Sequence, residues 1–207
     1  MSNILFRIKR GILFRIIRFL CISKINTSSK VVYITFDDGP NPTITPQVLE
    51  ILDRFNAKAT FFNTGENMGK YPELVQLTEK KGHTIALHSY SHPNCLIIDE
   101  NSYIKDIEKG YDVYNTNILR PPYGALTLSA YRKLKNKYKI VIWNKGSLDH
   151  IPNLNNLDNH IKNMVKNTSS GDILLMHNME ESKDITLYIL PRYLEEIYKR
   201  GYKVLNL

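Results

Sequence analysis

The sequence predicts an α/β fold built on a mainly parallel sheet of about seven strands. Two observations carry that expectation. Seven short runs rich in β-branched and aromatic residues recur through residues 31–207, and longer amphipathic stretches separate them. Parallel strands need crossovers of helix length, so this alternation is what such a sheet requires. In addition, Gly82, Gly171 and Gly201 stand just ahead of strand-like runs, where a preceding helix can end in a left-handed turn.

The elements follow in chain order. The first strand is "VVYITF" (31–36). Thr45 and Pro46 open a helix that continues through Leu49, Ile51, Leu52 and Phe55, since proline is pre-organised for a first helical turn. The strands "AKATFF" (57–62) and "HTIALH" (83–88) flank a helical stretch over 71–81. A helix over 101–114 leads to "TNILR" (116–120), and one over 127–136 leads to "YKIVIW" (138–143). Helices over 155–168 and 184–199 enclose "DILLMH" (172–177), and "YKVLNL" (202–207) closes the series. Pattern alone allows an open sheet or a closed barrel.

Composition narrows the function classes. The 207 residues are 43% hydrophobic and 23% charged, values of an ordinary globular domain. The net charge of +8 is not spread over the molecule. Residues 1–30 hold seven basic residues and no acid, leaving +1 for residues 31–207. A basic face for nucleic acid is therefore not expected. The chain divides into a basic, apolar arm (1–30) and a single domain (31–207). In the arm, Arg15 and Arg18 break the apolar run, so a spanning helix is marginal. Leu5, Ile8, Ile12, Ile16, Phe19 and Leu20 fall on one helical side, opposite Arg7, Arg15 and Arg18. Residues 1–25 thus suit an anionic membrane surface, with a signal-anchor or a solvated arm as alternatives. Cys21 and Cys95 do not suggest a disulfide framework.

The chemistry-bearing residues gather at strand ends. Asp37 and Asp38 end the first strand, His88 and His92 follow the third, and Arg120 ends the fourth. Asp149 lies a few residues past the fifth, and His177 ends the sixth. In parallel α/β folds all these ends share one face, so residues scattered in sequence converge there. Adjacent carboxylates repel, which asks for a cation or for two separate roles. His88 and His92 at i, i+4 can reach one ion. One Asp and two His leave an open position, the pattern of a catalytic zinc site; the same ligand types also serve non-haem iron.

These motifs have a family likeness. "TFDDGP" (35–40), "KATFFNTG" (58–65), "HSYSH" (88–92), "RPPYG" (120–124) and "LLMH" (174–177), in this order, resemble the polysaccharide deacetylase family. This is the group of carbohydrate esterases that includes chitooligosaccharide and peptidoglycan N-acetylglucosamine deacetylases. The resemblance implies a distorted (β/α) barrel, a divalent metal and removal of acetyl groups from sugars. Zinc is the first expectation, with Co2+, Ni2+ or Mn2+ as alternatives.

By position, the resemblance makes Asp37 the catalytic base and Asp38, His88 and His92 the metal ligands. Arg120 pairs with the base, the Tyr123 backbone N–H supports an oxyanion, and His177 is the general acid, held by Asp149. Leu175 walls the acetyl methyl group, and Pro122 and Tyr123 sit beside the sugar. One motif departs from the family's usual Asp-x-x-Asp-Trp. In "WNKGSLDH" (143–150), Trp143 and Asp149 match, but Gly146 replaces the first Asp and His150 the Trp. The expected function is a metal-dependent deacetylase of peptidoglycan or chitin-like glycans, monomeric, in the cell envelope or secreted, with the cytoplasm as the alternative. An O-acetyl esterase or deformylase acting on a lipid-linked sugar, and a sugar-binding pseudoenzyme, are the rival readings.

Overall fold

A computed structural model describes residues 19–151 and 156–207. The amphipathic pattern assigned to residues 1–18 lies outside the described residues, apart from Phe19 and Leu20 at its end.

The fold is a half-barrel of parallel strands with flanking helices. Strand β1 (Val31–Asp37) lies at its centre, between β2 (Ala59–Asn63) and β7 (Ile173–His177). Beyond β2 come β3 (Thr84–Leu87), β4 (Ile118–Leu119) and β5 (Lys139–Ile140); beyond β7 comes β6 (Lys145–Gly146). β8 (Lys203–Val204) pairs with the start of β1. Every pairing within this sheet is parallel, as the alternating pattern requires.

Six of the seven residues of β1 are buried, so the strand packs on both faces rather than alternating. Phe36 and Phe61 stack at 5.0 Å between ring centroids inside the core. Helix α1 (Thr45–Arg54) buries Val48, Leu49, Ile51 and Leu52 against this core. Helix α2 (Gly65–Lys70) is short and is capped by Thr64, whose side chain accepts from the Asn67 N–H. It precedes α3 (Pro72–Lys80) and leans on α4 (Glu100–Val113). A Cβ on Gly65 would lie 2.9 Å from the Gly110 Cα, and one on Gly110 would lie 2.8 Å from Leu87 Cδ1, so both positions are closed to a side chain. Helices α5 (Leu128–Leu134), α6 (Leu157–Lys166) and α7 (Lys183–Lys199) complete the outer layer.

The body begins earlier in the chain than its charge pattern suggests. Ile22 bridges in parallel to Val141, and Lys24 bridges in antiparallel fashion to Asp172. The Ile25 N–H donates to the Gly171 carbonyl at 2.9 Å. Residues 22–25 therefore run from the β5 edge to the foot of β7. Cys21 is buried in the main core, and Cys95 is buried as well. Among the described residues, no helix is long and apolar enough to cross a membrane.

Candidate active site

Strand register builds the site. Asp37 is the direct partner of His177 on one side and of Phe62 on the other. Leu87 pairs with Leu119, so the next residues, His88 and Arg120, leave the sheet side by side. The His88 N–H donates to the Asn63 carbonyl at 2.8 Å and the Arg120 N–H to the Leu87 carbonyl at 2.9 Å, extending the ladder to the chemistry.

Backbone strain concentrates in the loops that follow. Asp38 (φ 73°), Ser89 (64°), His92 (60°), Tyr123 (61°) and Leu148 (59°) are non-glycine residues in left-handed conformation, all in loops at the carboxyl ends of the strands. Such conformations cost energy and persist where surrounding contacts enforce them. At Asp38 the enforcing contacts are its N–H to the Phe62 carbonyl and the Asn67 side chain on its carbonyl. Gly39 fills a space closed to any side chain: a Cβ there would lie 2.8 Å from Asn63 Oδ1.

Two carboxylate systems flank a cleft of about 720 Å³. On one side, Asp37 is 3% exposed, and the fully buried Arg120 donates from Nη1 to Asp37 Oδ1 at 2.6 Å. The same Nη1 donates to Thr35 Oγ1 at 2.8 Å, and the guanidinium lies over the Phe62 ring at 3.9 Å. Burial lowers the Arg120 pKa while the Asp37 charge raises it. On the other side, His177 Nδ1 donates to Asp149 Oδ1 at 2.8 Å. Asp149 Oδ2 accepts from the His177 N–H and from Thr186 Oγ1, each at 2.7 Å. Burial pushes the Asp149 carboxyl up, but the nearby His150 imidazole, the hydrogen bonds from His177 and the His177 charge hold it well below the usual carboxylate range. Burial pushes His177 down, yet the Asp149 hydrogen bond and charge, with Asp37 and Asp38 beyond, leave its pKa raised.

Between the two systems stand Asp38, His88 and His92. His88 Nδ1 lies 2.8 Å from the Arg120 carbonyl oxygen, which can only accept, so Nδ1 carries the proton and the Nε2 lone pair points inward. His88 Nε2 and His92 Nε2 lie 3.6 and 3.3 Å from Asp38 Oδ1. Bonds of about 2.0–2.1 Å around a tetrahedral ion would set neighbouring ligand atoms roughly 3.3 Å apart. Burial lowers the pKa of both histidines, which keeps them neutral. Burial also raises that of Asp38, opposed by His88 and reinforced by Asp37. Two neutral imidazoles and a carboxylate crowded among acids form a donor set that fits a divalent cation.

Most of the sequence-expected site residues converge here. Leu175 and Trp143 line the cleft, and Tyr123, 56% exposed, stands at its mouth with its ring 4.7 Å from that of His92. Pro122 is buried, and it is not among the residues that line the cleft. His150 lines the cleft and meets the His177 ring edge-on at 4.9 Å. Gly146 is exposed on β6 and borders a different cavity, near His160. Sequence reasoning missed Thr35, Asn67 and Thr186. Each is an ordinary polar residue whose task depends on a long-range contact.

Comparison with known proteins shows what the chain is similar to. The polysaccharide deacetylase family model matches residues 24–141. A peptidoglycan-N-acetylglucosamine deacetylase of Bacillus cereus is 33% identical over 189 residues, covering 87% of each chain. A second B. cereus protein of that name is 34% identical over 154 residues, and the match spans 71% of this chain and about half (55%) of that relative. A crystal structure of a peptidoglycan N-acetylglucosamine deacetylase, complexed with 4-naphthalen-1-yl-N-oxidanyl-benzamide, superposes with a TM-score of 0.82 at 28% identity, covering 90% of both chains. A CE4 family pseudoenzyme from Bacillus anthracis shares the fold, with a TM-score of 0.78 at 21% identity over 90% of this chain and 66% of its own. On the family-model match and the 33% identity to a relative of similar length, the chain belongs to the polysaccharide deacetylase family.

Proposed function

We propose that this protein is a metal-dependent hydrolase that removes the N-acetyl group from N-acetylglucosamine units of bacterial cell-wall glycan. One observation carries the reading: an arginine-clamped carboxylate and a carboxylate-held imidazole flank a three-residue cation cradle in one cleft. The similarity to named peptidoglycan deacetylases supports peptidoglycan over chitin-like substrates and favours a place in the cell envelope.

Asp38, His88 and His92 would hold the cation, zinc by their ligand types. When bound, a divalent cation there supplies Lewis-acid polarisation of water and of the acetamide carbonyl. The protein's own groups do the rest. Arg120 occupies Asp37 Oδ1, which leaves Oδ2 facing His88 and the cleft. Asp37 Oδ2 takes a proton from the attacking water. The left-handed turn at Tyr123 presents backbone N–H to the oxygen where negative charge develops, a contact of about 3–4 kcal/mol in comparable sites. His177, with Nδ1 committed to Asp149, delivers its Nε2 proton to the nitrogen, and acetate and a free amine leave. Leu175 and Trp143 supply apolar surface beside the acetyl group.

The direct experiment is acetate release from peptidoglycan, chitooligosaccharides and O-acetylated xylan, with and without chelator. The reading expects chelator-sensitive release from peptidoglycan. Release from xylan alone would support the esterase reading, and no release from any of the three the pseudoenzyme reading.

A further inference from the structure

The geometry points to a second, inhibitory cation site at the wall of the same cleft, formed by the cleft-lining His150 and His177 with the buried Asp149 and selective for zinc-like ions. The ligand atoms of these three residues lie within 4.8 Å of one another. His150 Nδ1 is 3.9 Å from Asp149 Oδ1, and His177 Nδ1 is 2.8 Å from the same oxygen. Asp149 is fully buried with Oδ2 already saturated, so Oδ1 is the atom it can share. His150 is 46% exposed at its side chain and can swing the short distance needed to close the set. Two imidazoles and one carboxylate oxygen favour Zn2+ or Cu2+ over Mg2+ or Ca2+, which prefer all-oxygen shells.

Occupation of this site and catalysis exclude one another. The cation takes the place of the proton now shared between His177 Nδ1 and Asp149 Oδ1, and that proton passes to solvent. His177 is left as a neutral, cation-bound imidazole. Its remaining Nε2–H is far less acidic than that of an imidazolium, so it no longer supplies the amine with a proton. The role of His177 as acid rests on the function proposed above; the metal site itself does not. His150 thereby gains a consequence: a tryptophan at that position would provide no third ligand.

The test is zinc stoichiometry by equilibrium dialysis with atomic absorption, alongside acetate release. Wild-type protein is expected to bind one zinc per chain at low free zinc and a second at higher concentration, with activity falling as the second binds. His150→Trp and His150→Gln are each expected to retain the first equivalent and weaken the second by about tenfold or more. Asp38→Ala is expected to lose the first equivalent and keep the second. A single equivalent at all concentrations overturns the proposal, as does a second equivalent that persists unchanged in both His150 variants. Retention of both equivalents in Asp38→Ala would instead count against the ligand set proposed for the catalytic cation.

Discussion

Arg120 Nη1 lies 2.6 Å from Asp37 Oδ1, and neither side chain is more than 4% exposed. Removing one partner of a buried ion pair strands the other, at a cost of about 3–5 kcal/mol. Arg120→Met is therefore expected to lose stability of this order in metal-free protein, measured by urea unfolding. Arg120→Met with Asp37→Asn is expected to recover part of that loss and none of the activity, because neither charge of the pair remains and no carboxylate remains at position 37 to accept a proton. Wild-type stability in the single variant would show that the pair does not hold Asp37.

With His177 as the proposed acid, the His177–Asp149 pair is expected to set the alkaline side of the pH profile. The folded pKa of His177 is raised above its ordinary 6.5. The acid form, and the stability the pair contributes, are thus fully present below about 6.5 and are lost as pH rises through the folded value. Activity is expected to fall on that alkaline limb. Asp149→Asn is expected to move the limb to lower pH and to reduce kcat by roughly 10²–10⁴, the usual worth of a general acid. A limb that stays in place in Asp149→Asn would assign it to another group.

His83 is expected to give an acid-side stability loss unrelated to catalysis. It is 5% exposed, its Nδ1 accepts from the Ala59 N–H, and its Nε2 has no hydrogen-bond partner. Burial pushes its pKa down to about 4, with Lys58 adding to the effect. The unfolded chain binds a proton below 6.5 and the folded chain only near 4, so stability falls as pH drops through that window. The loss should be on the order of 1–3 kcal/mol, allowing for partial solvent screening. Unfolding midpoints for wild type and His83→Leu between pH 4 and 7 measure it. An equal slope in both proteins would remove His83 as the cause.

Deletions separate the arm from the body. Removing residues 1–18 leaves every contact described here in place. Removing residues 1–26 deletes the Ile22 and Ile25 backbone pairs, the buried Cys21 and the Lys24–Asp172 ion pair at 3.1 Å. The longer deletion is expected to lower stability by about 2 kcal/mol or more. The loss is read against the deletion of residues 1–18 alone. Equal midpoints for the two deletions would contradict the role given to residues 21–25.

How much of this was legible depended on how local each signal is. β1, β2 and β7 are long and apolar, and their runs in the sequence mark them closely. β4 and β5 pair over two residues each, shorter than their apolar runs. β6 was not anticipated, because Lys145–Gly146 carries no apolar signal and pairs only through its backbone with Leu174 and Leu175. Residues 21–25 read as part of a basic arm, since local charge does not show that a later segment offers free sheet edge. The acids and histidines were legible because strand ends must converge. Thr186 was not, because it is one turn inside α7 and matters only through Asp149.

A division of labour between Asp37 and Asp38 is open to anomalous diffraction from crystals grown with zinc. The expected result is a peak bonded to Asp38, His88 Nε2 and His92 Nε2 at about 2.0–2.2 Å, with Asp37 still held by Arg120 and outside bonding distance. A peak bonded to Asp37 in place of Asp38, or no peak among these side chains, would contradict it.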